Sequence, residues 1–81
     1  MIQFDYSKLN GKIKEKFKTQ DAFAEALNIS RASLSMKLNN KSEFDQYEMK
    51  KSCELLGIPL EEMNIYFFTP EVQQKEQKKG E

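Results

Sequence analysis

The sequence predicts an all-α fold, five short helices around one core, and three observations carry that expectation. Apolar side chains recur at three- and four-residue intervals along most of the chain. Residues suited to starting helices (Thr19, Ser30, Asp45) and to ending them (Asn28, Gly57) punctuate those stripes. At 81 residues, the core can stabilise a compact helical unit but not a sheet covered on both faces.

Leu9, Ile13 and Phe17 form the stripe of a first helix, whose other face carries Lys8, Lys12, Lys14, Lys16 and Lys18. Those lysines read either as a solvated face or as part of a binding surface. Asp5 or Ser7 can cap the start, and Gly11 weakens the first turns. Thr19 is the N-cap expected for a second helix, with Asp21 complementing its dipole and Phe23 and Leu27 as its apolar pair. Asn28 suits a left-handed stop. Ser30 opens a third helix with Leu34 and Leu38 inward, and Asn39, Asn40, Lys41 and Ser42 form a polar break. A fourth helix is expected from about Asp45 to Leu56, with Met49, Cys53 and Leu56 on one face and Gly57 after it. Pro59 opens a fifth segment in which Leu60, Met63 and Phe67 point inward, while Ile65–Phe68 suits a helix or a short strand equally. The expected domain is residues 1–68, with a polar, frayed or disordered tail at 69–81.

Composition narrows the function classes. A single cysteine, Cys53, excludes an internal disulfide and fits a reducing cytoplasm; its place on an apolar stripe reads as a small buried hydrophobe. No apolar run approaches membrane-spanning length, and no signal-peptide pattern opens the chain. The sequence has no His, no phosphate loop, no Gly-Xaa-Ser-Xaa-Gly and no paired Cys, and Glu61 and Glu62 point apart on a helix start. An enzyme, a metal site, a cofactor and a small-molecule ligand are therefore not expected.

The second and third helices, joined by a short corner, make a helix-turn-helix pattern over residues 20–38. Ala24 is small where the two helices cross, Asn28 turns the chain, Ile29 plugs the corner and Leu34 closes the core. The outer face near the start of the third helix is left to Ser30, Arg31, Ala32, Ser33 and Met36, within reach of base edges in a major groove.

The run QDAFAEALNISRASLSMKLNNK, residues 20–41, resembles the helix-turn-helix of the lambdoid phage repressor and Cro family, most of all the small repressor-like proteins of Gram-positive phages. The resemblance covers residues 6–68 and implies a five-helix DNA-binding domain that acts as a transcriptional regulator of phage or prophage origin. It implies that Gln20 contacts phosphate and braces a base-reading side chain. It implies further that Ser30, Arg31, Ala32, Ser33 and Met36 face the groove, and that Asn39 and Lys41 grip the backbone. Asn28 stands where the family usually has Gly, and Lys37 where it is often apolar. By chemistry, Arg31 suits guanine, Ala32 and Met36 suit a thymine methyl, and Gln20, Ser35, Lys37, Asn39 and Lys41 suit phosphate.

The expected partner is double-stranded operator DNA, bound as a homodimer. Tyr66, Phe67 and Phe68 would complete the core or meet a second subunit. The competing expectation is a protein-binding modulator that keeps the fold but pairs with a separate phage repressor. Charge bears on the choice. The chain sums to zero, but residues 1–51 hold ten basic and seven acidic side chains and residues 52–81 hold three and six. Within residues 12–41 the count is seven to three, which predicts a basic helix-turn-helix surface and an acidic rear.

Overall fold

Each helix begins or ends where a nearby group replaces the backbone partner that a helix end lacks. The computed structural model describes residues 3–71. Among them are α1 (Ser7–Phe17), α2 (Gln20–Leu27), α3 (Arg31–Leu38), α4 (Gln46–Leu56) and α5 (Met63–Phe67), the last entered through a 3-10 turn at Leu60–Glu62. The ambiguous stretch at 65–68 is thus helical through Phe67. No helix among the described residues is long and apolar enough to cross a membrane.

The caps follow local chemistry. The Thr19 side chain accepts from the Ala22 N–H at 3.1 Å and Ser30 from the Ser33 N–H at 3.0 Å. Asp45 and Glu48 form a reciprocal capping box at the head of α4. At α1 the N-cap position falls to Tyr6, which makes no side-chain cap bond. Asp5, one residue upstream, instead accepts from both the hydroxyl and the backbone N–H of Ser7, and these bonds hold its carboxyl below the usual range. Asn28 and Gly57 end α2 and α4 in the left-handed region, at φ 67° and 71°. Lys18 ends α1 at φ 73° although its Cβ disfavours that conformation. It can do so because its N–H still donates to the Lys14 carbonyl, and Thr19 begins α2 at once.

The core gathers Leu9 and Ile13 from α1, Phe23, Ala24 and Leu27 from α2, Leu34 from α3, and Cys53 and Leu56 from α4, with Tyr6, Phe44, Ile58 and Phe67 closing it. Three of the aromatics pack edge to face in series, Tyr6 on Phe44 at 5.5 Å and Phe44 on Phe67 at 5.1 Å between ring centroids. One expectation is corrected here, and one choice between two readings is decided. Leu60 does not point inward but is 55% exposed, because Ile58, whose N–H donates to the Cys53 carbonyl, takes the core position before the proline. Phe67 is 1% exposed, so it belongs to the core and offers nothing to a second subunit. Tyr66 is half-buried against the core, and Phe68 is exposed and stacks edge-on against Phe4.

The chain ends meet. Phe4 and Pro70 form an isolated antiparallel bridge, flanked by Asp5 N–H to the Thr69 carbonyl at 2.7 Å and Glu71 N–H to the Gln3 carbonyl at 2.8 Å. The expected polar tail therefore does not begin at residue 69: Thr69, Pro70 and Glu71 are part of the fold. The rest of that tail, residues 72–81, lies outside the described residues. Phe4 is held from its other side by Asn40, whose amide accepts from the Phe4 N–H and donates to the Phe4 carbonyl, both at 3.0 Å. Asn40 makes this two-way bond from the middle of the polar break, itself at φ 63°.

Lys37 and Glu48 join α3 to α4 at 3.1 Å, with only 14% and 12% of their side chains exposed. Removing one partner strands the other in a poorly solvated place. Lys37→Ala should lower the unfolding free energy by about 2 kcal/mol in denaturant titration, whereas Glu48→Gln, which keeps a capping acceptor, should cost less. Burial also pushes the Cys53 thiol pKa up. Its reaction with an aromatic disulfide reagent in native buffer should track unfolding, and labelling within seconds would contradict this packing.

Candidate functional site: the helix-turn-helix face

The corner between α2 and α3 is built by local rules. Asn28 turns left-handed, and the N–H of Ile29 donates back to the Ala24 carbonyl at 3.0 Å. Ile29, half-buried, plugs the corner, while Ala24 and Leu34 are buried between the helices. α3 is left with an outer face on which Ser30, Arg31 and Ala32 are exposed, Met36 is 47% exposed, and Ser33 and Ser35 are half-buried. The five residues expected to read bases thus surround the start and outer side of α3, Ser30 to Ser33 wrapping its first turn and Met36 one turn further on.

Most of the polar groups on and around that face already have partners inside the molecule. Ser30 spends its oxygen on the α3 cap. Arg31 donates from Nη1 to Asp21 Oδ1 at 3.0 Å, an ion pair that crosses from the start of α3 to the start of α2. Gln20 is half-buried and donates from Nε2 to Asn10 Oδ1 on α1 at 3.1 Å. Asn39 donates back to the Ser35 carbonyl at 2.8 Å, which also engages the end of α3. Lys37, expected at phosphate, is turned to the opposite side, against Glu48 and the Glu43 carbonyl at 3.0 Å. An ammonium so placed is withdrawn from the outer face. Lys41 is exposed and makes no ion pair among the described residues.

The charge distribution changes accordingly. Residues 20–38 contain two basic side chains, Arg31 and Lys37, and two acidic ones, Asp21 and Glu25. The positive surplus counted over residues 12–41 sits mainly on and just after α1, where Lys12 leans on Glu15 at 3.8 Å. The basic surface expected of the helix-turn-helix is therefore not on α3.

Sequence reasoning passed over four residues that decide this arrangement. Type and spacing mark Asp21 only as a dipole partner and Asn40 only as part of a break, and Asn10 and Glu48 lie outside the expected site. Glu48 had a legible signal, since it stands three residues after Asp45 at capping-box spacing. Asp21 and Asn10 meet partners ten residues away on other helices, and no local pattern marks such a pairing.

Comparison with known proteins bears on the same question. A family model described as "Protein of unknown function (DUF739)" matches residues 2–70. The chain is similar to the modulator of repression (MOR) of the temperate bacteriophage TP901-1 from Lactococcus lactis. The solution structure of that protein matches at 40% sequence identity with a TM-score of 0.72, over 80% of this chain and 88% of the other. No curated protein matches the chain. The relationship found is thus to a phage protein that modulates repression, and it gives the Cro and repressor resemblance of residues 20–41 no direct support. With the family model covering nearly all the described residues, the chain belongs to the DUF739 family and shares its fold with a phage modulator of repression.

Proposed function

We propose that this chain is a protein-binding modulator of a phage repressor. On this reading its direct partner is the repressor chain, and operator DNA is contacted only through that partner. The observation that carries the reading is the match to MOR at 40% identity over most of both chains. The site geometry supports it independently. Affinity for duplex DNA grows with the number of cations that displace counterions from phosphate. Here Arg31 is paired with Asp21 and Lys37 with Glu48, which leaves Lys41 as the exposed cation nearest the end of α3. A surface of Ala32 and Met36 bordered by balanced charge suits a protein partner, which can bury apolar area that phosphate cannot.

The second reading, an operator-binding regulator, draws on the same face. Under it Ser30, Arg31, Ala32, Ser33 and Met36 would meet bases, and Gln20, Ser35, Asn39 and Lys41 would meet phosphate. Two titrations separate the readings: the purified chain against the repressor of the same phage, and against a duplex bearing that phage's operator across a salt series. A modulator gives saturable binding to the repressor and a log–log salt slope near zero on DNA alone. A slope of about −0.9 for each phosphate neutralised, with no repressor binding, would overturn the proposal.

A further inference from the structure

The α2–α3 pair keeps the shape of a DNA reader while its single arginine is tied down. Arg31 is the first residue of α3, the place from which side chains of a groove-bound helix reach base edges. Its side chain is 53% exposed and its guanidinium lies 3.0 Å from the carboxylate of Asp21, itself 71% exposed. Three observations set Asp21 apart from an ordinary surface partner. It comes from the other helix of the motif, so the pair links two helix starts that both approach the backbone when such a motif docks on DNA. It is the second residue of α2, so its negative charge stands at the helix end that would otherwise attract phosphate. The neighbouring polar groups Gln20 and Asn39 are also engaged internally, which leaves Arg31 as the group whose release would change the face most.

We infer that Asp21 is the specificity-determining residue of the helix-turn-helix face: it occupies Arg31 and repels phosphate, so the face accepts protein and turns duplex DNA away. Two effects act in the same direction. The ion pair must open before Arg31 can donate to a guanine or a phosphate, and the exposed carboxylate opposes a polyanion whether the pair is open or closed. The biological sense of this inference rests on the modulator reading, but its measurement does not require a repressor.

The test uses the full chain as wild type, Asp21→Asn, Arg31→Ala and the double variant. Fluorescence anisotropy follows binding to a labelled duplex long enough for two half-sites one helical turn apart, over a range of salt. Asn keeps the size and polarity of Asp at a helix start, and Asp21→Ser serves equally should the Asn variant misfold; circular dichroism verifies the fold of each. Asp21→Asn should bind DNA more tightly than wild type at low salt by up to about fivefold, the weight of one exposed ion pair, with a salt slope steeper by about one. Adding Arg31→Ala should cancel the part of the gain that comes from the freed guanidinium and leave only the smaller part that comes from the lost carboxylate. The inference falls if Asp21→Asn binds no better than wild type, including the case where neither binds. It falls also if the double variant keeps the whole gain, since the ion pair would then play no part. A wild type that already binds DNA with a steep slope and ignores the repressor removes the modulator reading, while the ratio between wild type and Asp21→Asn still decides the role of Asp21.

Discussion

One carboxylate organises the half of the molecule that matters most for function. Glu48 Oε1 accepts from the Asp45 N–H at 2.9 Å, completing the cap of α4, and meets the Lys37 ammonium at 3.1 Å. Lys37 adds a bond to the Glu43 carbonyl, so the last turn of α3, the loop after it and the first turn of α4 are tied at one point. Both charges are nearly withdrawn from water, where attraction is strong only because each is also hydrogen-bonded. The exit of α3 is thereby set, and the loop carries Asn40 to where it can hold the Phe4 backbone from both sides. That contact aligns the N-terminal segment with Thr69–Glu71, which closes the fold at its ends.

The same tie has an electrostatic consequence. A cation placed where many helix-turn-helix proteins tolerate an apolar residue adds nothing to a DNA surface if its charge is used inside. Asp21 does the equivalent for Arg31 at the other end of α3, in an exposed and weaker form. α3 therefore presents shape and apolar contact without net charge. Its shape remains that of a helix able to enter a groove, while the two cations of residues 20–38 are held by Asp21 and Glu48. The proposed protein partner would meet Ala32 and Met36 on this face, where the neighbouring charges are balanced.

How much of this was legible depended on range. Thr19, Ser30, Asn28, Asp45 and Gly57 act on backbone within four residues of themselves, and each can be read from type and spacing. The apolar stripes place Leu9, Ile13, Phe23, Leu27, Leu34, Cys53 and Leu56 correctly because helical period alone decides their face. Reasoning failed where two candidates compete for one tertiary slot. Ile58 displaces Leu60 from the core, whereas Phe67 takes the inward place its spacing predicts, against Phe44. Lys18 in a left-handed conformation contradicts its own propensity, and only the immediate start of α2 explains it. The exposure of Ser30, Arg31, Ala32 and Met36 follows from the motif. The pairing of the two cations does not, since Asp21 and Glu48 come from α2 and α4.

Counting charge along the chain misleads for the same physical reason. A segment is a stretch of sequence, whereas a partner meets a surface, and helices distribute one segment over several faces. The lysines that make residues 12–41 positive belong mostly to α1, and the two cations of residues 20–38 are each matched by an acid. A helix-turn-helix need not lose its fold, its corner or its exposed helix to stop reading DNA. In this chain both cations of the motif are engaged internally, Arg31 by the exposed Asp21 and Lys37 by the nearly buried Glu48. On the proposed reading that pairing, rather than a change of fold, separates a modulator from an operator-binding regulator.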